Sequence, residues 1–265
     1  MSLKSDVSEL AIQTATDILL PDFARVNSTR KKDGSLLTQA DINAHKALSS
    51  SLPDIVDYPV LSEEMSEAEQ QSIIDNEATS YWCIDPLDGT SNFTVGIPYW
   101  CISIALIEAG QLSLGVVYDP NRDDCFAATS TTITTLNGVS LDDHNQQISN
   151  LKQCMGMVDF KRLDNQLSAS ILADPPYHSQ RSFGAIALDY CWLADNRSQL
   201  YLHGKQKLWD YSAGLLILQQ ASGVAETFDG DSIFQNDLQL KSVLAATNNE
   251  LFDQWRTYFQ SILIN

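Results

Sequence analysis

The sequence predicts a mixed α and β fold (α/β in the broad sense) built as two closely packed subdomains, residues 1–145 and 146–265. Three observations carry that expectation. The chain has 265 residues and is 44% hydrophobic, enough for a sizeable core in one large domain or two small ones. Its first half mixes amphipathic helices with hairpin signals. After about residue 145, short apolar strands alternate with helical patterns.

Taken in order, Val7, Leu10, Ala11, Thr14 and Ile18 recur at helical spacing, so residues 5–25 read as an amphipathic helix ending near Pro21. RKKDGS (30–35) is a polar turn. Thr38, with Asp41 three residues on, opens a second helix as a capping box. PVLSEEMSEAEQQ (59–71) runs from a short apolar strand into an acidic stretch whose Glu63-Glu64 reads, alone, as a solvated helix start. YWCI (81–84) is a buried strand ending where WCIDPLDGTSNF (82–93) turns polar. Residues 101–120 are two apolar runs around Glu-Ala-Gly-Gln, a hairpin, and a second hairpin turns at Asn137-Gly138. In the second half, strands near 154–158, 199–203, 224–229 and 243–247 alternate with helices near 164–172, 184–194, 210–222 and 248–262.

Composition excludes several function classes. The net charge of −18 opposes binding to nucleic acid and to anionic membranes. No segment reaches the roughly 20 apolar residues of a membrane helix, and the N-terminus lacks a signal-peptide pattern. A cytoplasmic protein is therefore expected. Five scattered cysteines with no CxxC pair read as reduced, buried thiols. The same acidity would repel a phosphorylated ligand unless cations invert the local field.

The chemistry concentrates in DPLDGT (85–90). Pro86 keeps Asp85 out of helical geometry and Gly89 permits a sharp turn. Such a loop can aim two carboxylates and the Leu87 carbonyl at one point, a set of hard oxygens suited to Mg²⁺. A bare DxxD is more often an Asx-turn with solvated acids. The longer D-P-x-D-G-T string arises by chance in a chain of this length about once in several thousand cases. WDYSAG (209–214) adds Asp210 at the start of an apolar helix, where alone it reads as a cap. Together with Glu63-Glu64 these acids suffice for two or three divalent cations. Two metals about 3.5–4 Å apart can activate water on one side of a phosphate ester and stabilise the leaving oxygen on the other. No histidine, serine or cysteine nucleophile is then needed. Gly-Thr-Ser (89–91) at a helix start adds N–H donors for phosphate oxygens.

DPLDGTSNF, the upstream Glu63-Glu64, the downstream WDYSAG and KKDGSLLTQAD (31–41) together resemble the inositol monophosphatase family of Mg²⁺-dependent, lithium-sensitive phosphatases. The resemblance spans about residues 5–260. It implies a layered αβαβα sandwich of the sugar-phosphatase type and a homodimer. It implies that Glu63, Asp85 and the Leu87 carbonyl hold one Mg²⁺, that Asp85, Asp88 and Asp210 hold a second, and that Glu63 helps a third through water. It places phosphate on the backbone of Gly89 and Thr90, beside Ser91. It pairs Thr90 with Asp41 to orient the attacking water, and it makes Glu64 a support. The implied partner is a small phosphorylated substrate, with no nucleic acid and no membrane.

Substrate choice is expected from the second half. SFGAIALDYCWLA (182–194) resembles the family's Ser-x-Gly helix, placing Gly184 and Ala185 at the pocket. Many inositol-type members carry an acid seven residues before the WD aspartate. Here that position is His203, read as a loop residue, with Lys205 and Lys207 nearby. The change weakens an assignment to myo-inositol 1-phosphate and leaves open adenosine 3′,5′-bisphosphate, histidinol phosphate or fructose 1,6-bisphosphate. A non-catalytic regulatory protein on the same scaffold is the reading from another class.

Overall fold

The computed structural model describes residues 2–31, 34, 36–75, 80–141 and 148–263. The expected boundary near residue 145 and part of the RKKDGS turn lie outside the described residues. Helix α1 (Leu3–Thr14) continues through a wider turn, Ala15–Leu19, and a tighter one, Leu20–Asp22, stopping where Pro21 was expected to end it. Strands β1 (Ser28–Arg30) and β2 (Leu36–Thr38) pair as a small antiparallel ribbon leading into α2 (Gln39–Ile55). The capping box is present: the Thr38 hydroxyl accepts from Ala40 N and Asp41 N, and Asp41 accepts from Thr38 N.

A seven-stranded sheet follows in simple sequential order: β3 (Val60–Ser62), β4 (Tyr81–Asp88), β5 (Cys101–Glu108), β6 (Gln111–Asp119), β7 (Asp124–Thr129), β8 (Thr135–Leu136) and β9 (Val139–Ser140). Only β3–β4 is parallel, with α3 (Glu67–Ile74) in the crossover. Both hairpins form at the expected residues, on positive φ at Ala109 and Gly110 and at Asn137 and Gly138. Two expectations need correction. Ser66 caps α3, so Glu63 and Glu64 sit in the turn before that helix and do not start it. The strand of YWCI does not stop at the motif but runs through it to Asp88.

The second sheet has the order β11 (Ser179–Arg181), β10 (Met155–Val158), β12 (Leu200–Gln206), β14 (Lys241–Ala246), β13 (Val224–Glu226). Helices α4 (Thr90–Val95), α5 (Asn165–Ala173), α6 (Ile186–Ala194), α7 (Leu208–Gln220) and α8 (Asn249–Leu263) complete the fold.

Strand alternation builds the layers. Trp82, Ile84, Ile102, Ile104, Leu114 and Val116 face α1 and α2, burying Val7, Ala11, Ala44 and Leu48. The opposite face of the same sheet, with Tyr81, Cys83, Ala105 and Val117, packs on Leu188, Tyr190, Leu215 and Ile217 of α6 and α7. Those helices also bury Tyr201, Val243 and Ala245 of the second sheet. The other face of that sheet, with Leu200, Leu202 and Leu244, meets α5 and α8 through Leu167, Ile171, Trp255 and Phe259. The result is an αβαβα sandwich in which α6 and α7 are the middle layer. All five cysteines are free and buried.

Candidate active site

Asp85 and Asp88 are three residues apart, and in a regular strand that spacing would send them to opposite faces. The register against β5 steps from Asp85↔Ser103 to Asp88↔Cys101, so β4 carries one extra residue in a bulge. The bulge turns Asp88 back to the face of Asp85, toward the middle helices, while the Leu87 side chain goes to the opposite core. Pro86, which has no N–H to pair, sits inside it. Asp85 accepts from Leu87 N at 3.0 Å, and Asp88 accepts from Ala187 N in the first turn of α6 at 2.7 Å. Asp210, in the first turn of α7, accepts from Lys207 N at 2.8 Å. Both middle helices thus start against this strand.

Glu63 follows β3, and its N–H donates to Ile84 O at 3.2 Å, which sets it beside the Asp85 end of β4. Lys31 bridges the acid pair, 3.0 Å from Glu63 and 2.9 Å from Glu64. The residue was hidden in what reads as a polar turn, and only the fold reveals its partners. Across the pocket, Thr90 Oγ1 lies 3.1 Å from Asp41 Oδ1 and 3.1 Å from the Leu87 carbonyl oxygen. One hydroxyl proton cannot serve both acceptors at once. Gly89 has φ +93°, and a Cβ there would approach Tyr99 O at 3.0 Å and Ala185 Cβ at 3.2 Å. Glycine is therefore required on both counts, and Ala185 is brought against the motif. Gly184 and Ser91 are exposed at the rim. Asn92 secures the neighbourhood by donating to Tyr99 O and Phe183 O, each at 2.7 Å.

Electrostatically the cluster is frustrated. Burial, then the charges of Glu63, Asp88 and Asp210, push Asp85 well above the usual carboxylate range. Burial and Asp210 do the same to Asp88. Asp210 is pushed up to about 7 by burial and by Glu63. Glu64 also rises to about 7 through burial, against the opposing bond from Lys31. Burial raises Asp41 despite its bonds to Thr38 and Thr90. Among the described residues no three His, Cys, Asp or Glu side chains already converge on one point at metal-binding range. The acids are spread apart, each of Asp85, Asp88 and Asp210 held by a backbone N–H, as like charges require.

His203 does not lie on a loop. It sits on β12 opposite Val243 and is only 3% exposed. Its Nδ1 accepts from Lys205 N at 3.2 Å, which leaves the hydrogen on Nε2, 3.3 Å from Asp159 Oδ2. The alternating pattern Leu200–Tyr201–Leu202–His203 explains the burial: His203 shares the inward face of Tyr201. The expectation that His203 lies on a loop is corrected by the strand, which continues through an irregularity between His203 and Gln206.

Comparison with known proteins agrees with this geometry. The profile described as the inositol monophosphatase family matches residues 4–263. A protein of Haemophilus influenzae named Nus factor SuhB is 29% identical over 248 residues, 89% of this chain and 88% of its own. An inositol monophosphatase of Mesembryanthemum crystallinum is 29% identical over 212 residues, 76% of each chain. Among solved structures, an IMPase of Thermotoga maritima superposes with a TM-score of 0.83 at 22% identity, covering 98% of this chain and 97% of that one. With a family profile spanning nearly every residue, and both the bulged acidic strand and the five layers in place, the chain belongs to the inositol monophosphatase family.

Proposed function

We propose that this protein is a Mg²⁺-dependent phosphatase that hydrolyses a small phosphate monoester, an inositol monophosphate or a related polyol, sugar or nucleotide phosphate. The observation that carries the reading is that Glu63, Asp85, Asp88 and Asp210 lie close enough together to raise one another's protonation while each keeps its own hydrogen-bond anchor, a mutual repulsion with no structural benefit. The donor set is carboxylate and carbonyl oxygen without sulfur or imidazole, which fits Mg²⁺. Glu63, Asp85 and the Leu87 carbonyl would hold one ion, and Asp85, Asp88 and Asp210 another. Bound there, Mg²⁺ lowers the pKa of water and neutralises charge on the phosphoryl group. Thr90 then donates its single proton to Asp41, which leaves its lone pairs to accept a hydrogen from the attacking water. The N–H groups of Gly89, Thr90 and Ser91 would take phosphate oxygens, with Ala185 against Gly89 and Gly184 at the exposed rim. Glu64, tied to Lys31, supports Glu63.

Solved relatives at about one-fifth identity are described as bound to inositol monophosphate, to 2′AMP, and to Mg²⁺ with phosphate, which supports the substrate class without choosing within it. Lithium sensitivity, a cytoplasmic homodimer and two subdomains meeting near residue 145 belong to the same reading. Several curated relatives are named Nus factor SuhB, and they favour a second reading in which the scaffold serves as a protein factor. The two are separated by a phosphate-release screen over inositol 1-phosphate, 2′AMP, adenosine 3′,5′-bisphosphate, histidinol phosphate and fructose 1,6-bisphosphate. Release that requires Mg²⁺ and stops with EDTA is expected. A folded protein inert on all five would leave the second reading.

A further inference from the structure

Asn92 lies in the first turn of α4, beside Thr90 and Ser91, and is 8% exposed. Its amide nitrogen donates to Tyr99 O and to Phe183 O, each at 2.7 Å. Both partners are carbonyl oxygens, which only accept, so the amide has one orientation and both of its hydrogens are used. The two carbonyls belong to opposite halves of the chain: Tyr99 precedes β5, and Phe183 lies between β11 and α6. Their rings stack, with centroids 4.7 Å apart and planes at 26°. Trp192 meets the two rings edge-on at 4.9 and 5.0 Å. Tyr99 and Phe183 thus form one plate, and a single side chain pins that plate to α4. Among side chains of this size only an amide can bridge two carbonyls, since a hydroxyl brings one hydrogen and a carboxylate none.

The plate borders the site. After Phe183 come Gly184, with φ +89°, and Ala185, whose Cβ stands 3.2 Å from where a Cβ on Gly89 would lie. A Cβ on Gly184 would meet the Asn92 amide nitrogen at 3.5 Å. Two residues past Ala185, Ala187 N holds Asp88 at 2.7 Å. Residues 183–187 are therefore tied at both ends, to Asn92 in front and to Asp88 behind, with a left-handed glycine between the ties. Cutting the front tie leaves that end to ring contacts and to β11, a three-residue edge strand whose last residue, Arg181, is exposed. The segment can then hinge at Gly184.

We propose that Asn92 is a positioning residue: its amide sets the spacing between the phosphate-holding turn of residues 89–91 and the segment 183–185, and through that spacing the choice among esters. The proposal rests on the phosphatase reading. An ester that extends past its phosphate senses the spacing, and p-nitrophenyl phosphate, small and unselective, senses it less. Asn92→Ala removes both donors, and Asn92→Asp keeps the volume while setting a carboxylate against two carbonyl oxygens. Asn137→Ala is the control, because the Asn137 amide also makes two bonds, from Cys125 N and to Asp123 O, each at 2.8 Å, in the β8–β9 turn. Thermal melts confirm that each variant is folded. Tryptic cleavage after Arg181, followed by mass spectrometry on the metal-free protein, reads the segment without any turnover. Both Asn92 variants should be cut there about tenfold faster or more than the parent. In steady-state kinetics each should raise KM for the best ester of the screen about fivefold more than KM for p-nitrophenyl phosphate, with kcat on the two changing in step. Asn137→Ala should do neither. An unchanged cleavage rate overturns the tie. Faster cleavage with discrimination intact, or an equal loss of discrimination in Asn137→Ala, overturns the role in substrate choice. A parent protein inert on every ester, p-nitrophenyl phosphate included, fells the phosphatase reading, and cleavage after Arg181 then decides the tie alone.

Discussion

Thr90 holds one proton between two acceptors, and that fact orders the expected effects of changing it. On the proposed function, Thr90→Ala removes a hydroxyl used mainly when water attacks, so kcat should drop about 10²-fold or more with KM nearly unchanged. Steady-state kinetics on any accepted ester decides it: a raised KM with kcat intact would make Thr90 a ground-state phosphate contact. Asp85 faces the larger electrostatic conflict. Asp85→Asn should abolish or strongly weaken Mg²⁺ binding in calorimetry while leaving the fold intact, because loss of one charge relieves repulsion with Glu63, Asp88 and Asp210. Equal Mg²⁺ affinity in the variant would remove Asp85 from the metal set. At this scale the sequence was eloquent about acids, since D-P-x-D-G-T admits few other uses. It was silent about Lys31 and Asp159, whose partners lie 32 residues away in Glu63 and on the neighbouring strand in His203. Spacing along a chain carries no record of such pairings.

Single elements show where local rules suffice and where they fail. The capping box of α2 and the two hairpins were legible because each is decided by neighbours within four residues. The bulge in β4 was not, because it exists only relative to the register of β5. His203 was misplaced for the same reason, since its strand continues through an irregularity that exists only in the register with β14. The α2 cap also links an element to the site, for the carboxylate that caps the helix is the one Thr90 reaches. Thr38→Ala should therefore cost about 1 kcal/mol of stability, or roughly 2–4 °C in Tm for a chain of this size, and should reduce kcat as Asp41 loses its anchor. A variant with lowered Tm but undiminished kcat would show that the cap and the chemistry are separate.

Across the whole molecule, charge sets the pH response. Burial pushes Asp189 up to about 8, despite the bond it accepts from the Tyr99 hydroxyl at 2.8 Å. An unfolded aspartate titrates near 3.9. Between those values the folded chain binds the extra proton, so this group's stabilising share is complete below about pH 4 and is lost as pH rises toward 8. Asp210 and Glu64, both near 7, act with the same sign. Melts in EDTA should show Tm falling from pH 5 to 8, with Asp189→Asn giving a shallower slope by up to about 1.4 kcal/mol per pH unit. Identical slopes would show that Asp189 ionises normally. Added Mg²⁺ should recover stability most at the alkaline end, where the ligands have lost their protons.

The middle layer of α6 and α7 has a consequence for how the protein is made. Its residues follow the entire seven-stranded sheet in the chain. During synthesis that sheet therefore emerges with α1 and α2 available to cover one face and nothing available for the other. Tyr81, Cys83, Ala105 and Val117 wait on that open face beside Asp85 and beside Asp88, whose partner, Ala187 N, is still to come. Nascent chains halted before residue 186 should be captured by holdase chaperones or aggregate, whereas full-length chains should leave the ribosome able to bury both faces. The acids of β4 would then act as gatekeepers during assembly, since charges on a bare apolar face discourage pairing with another chain.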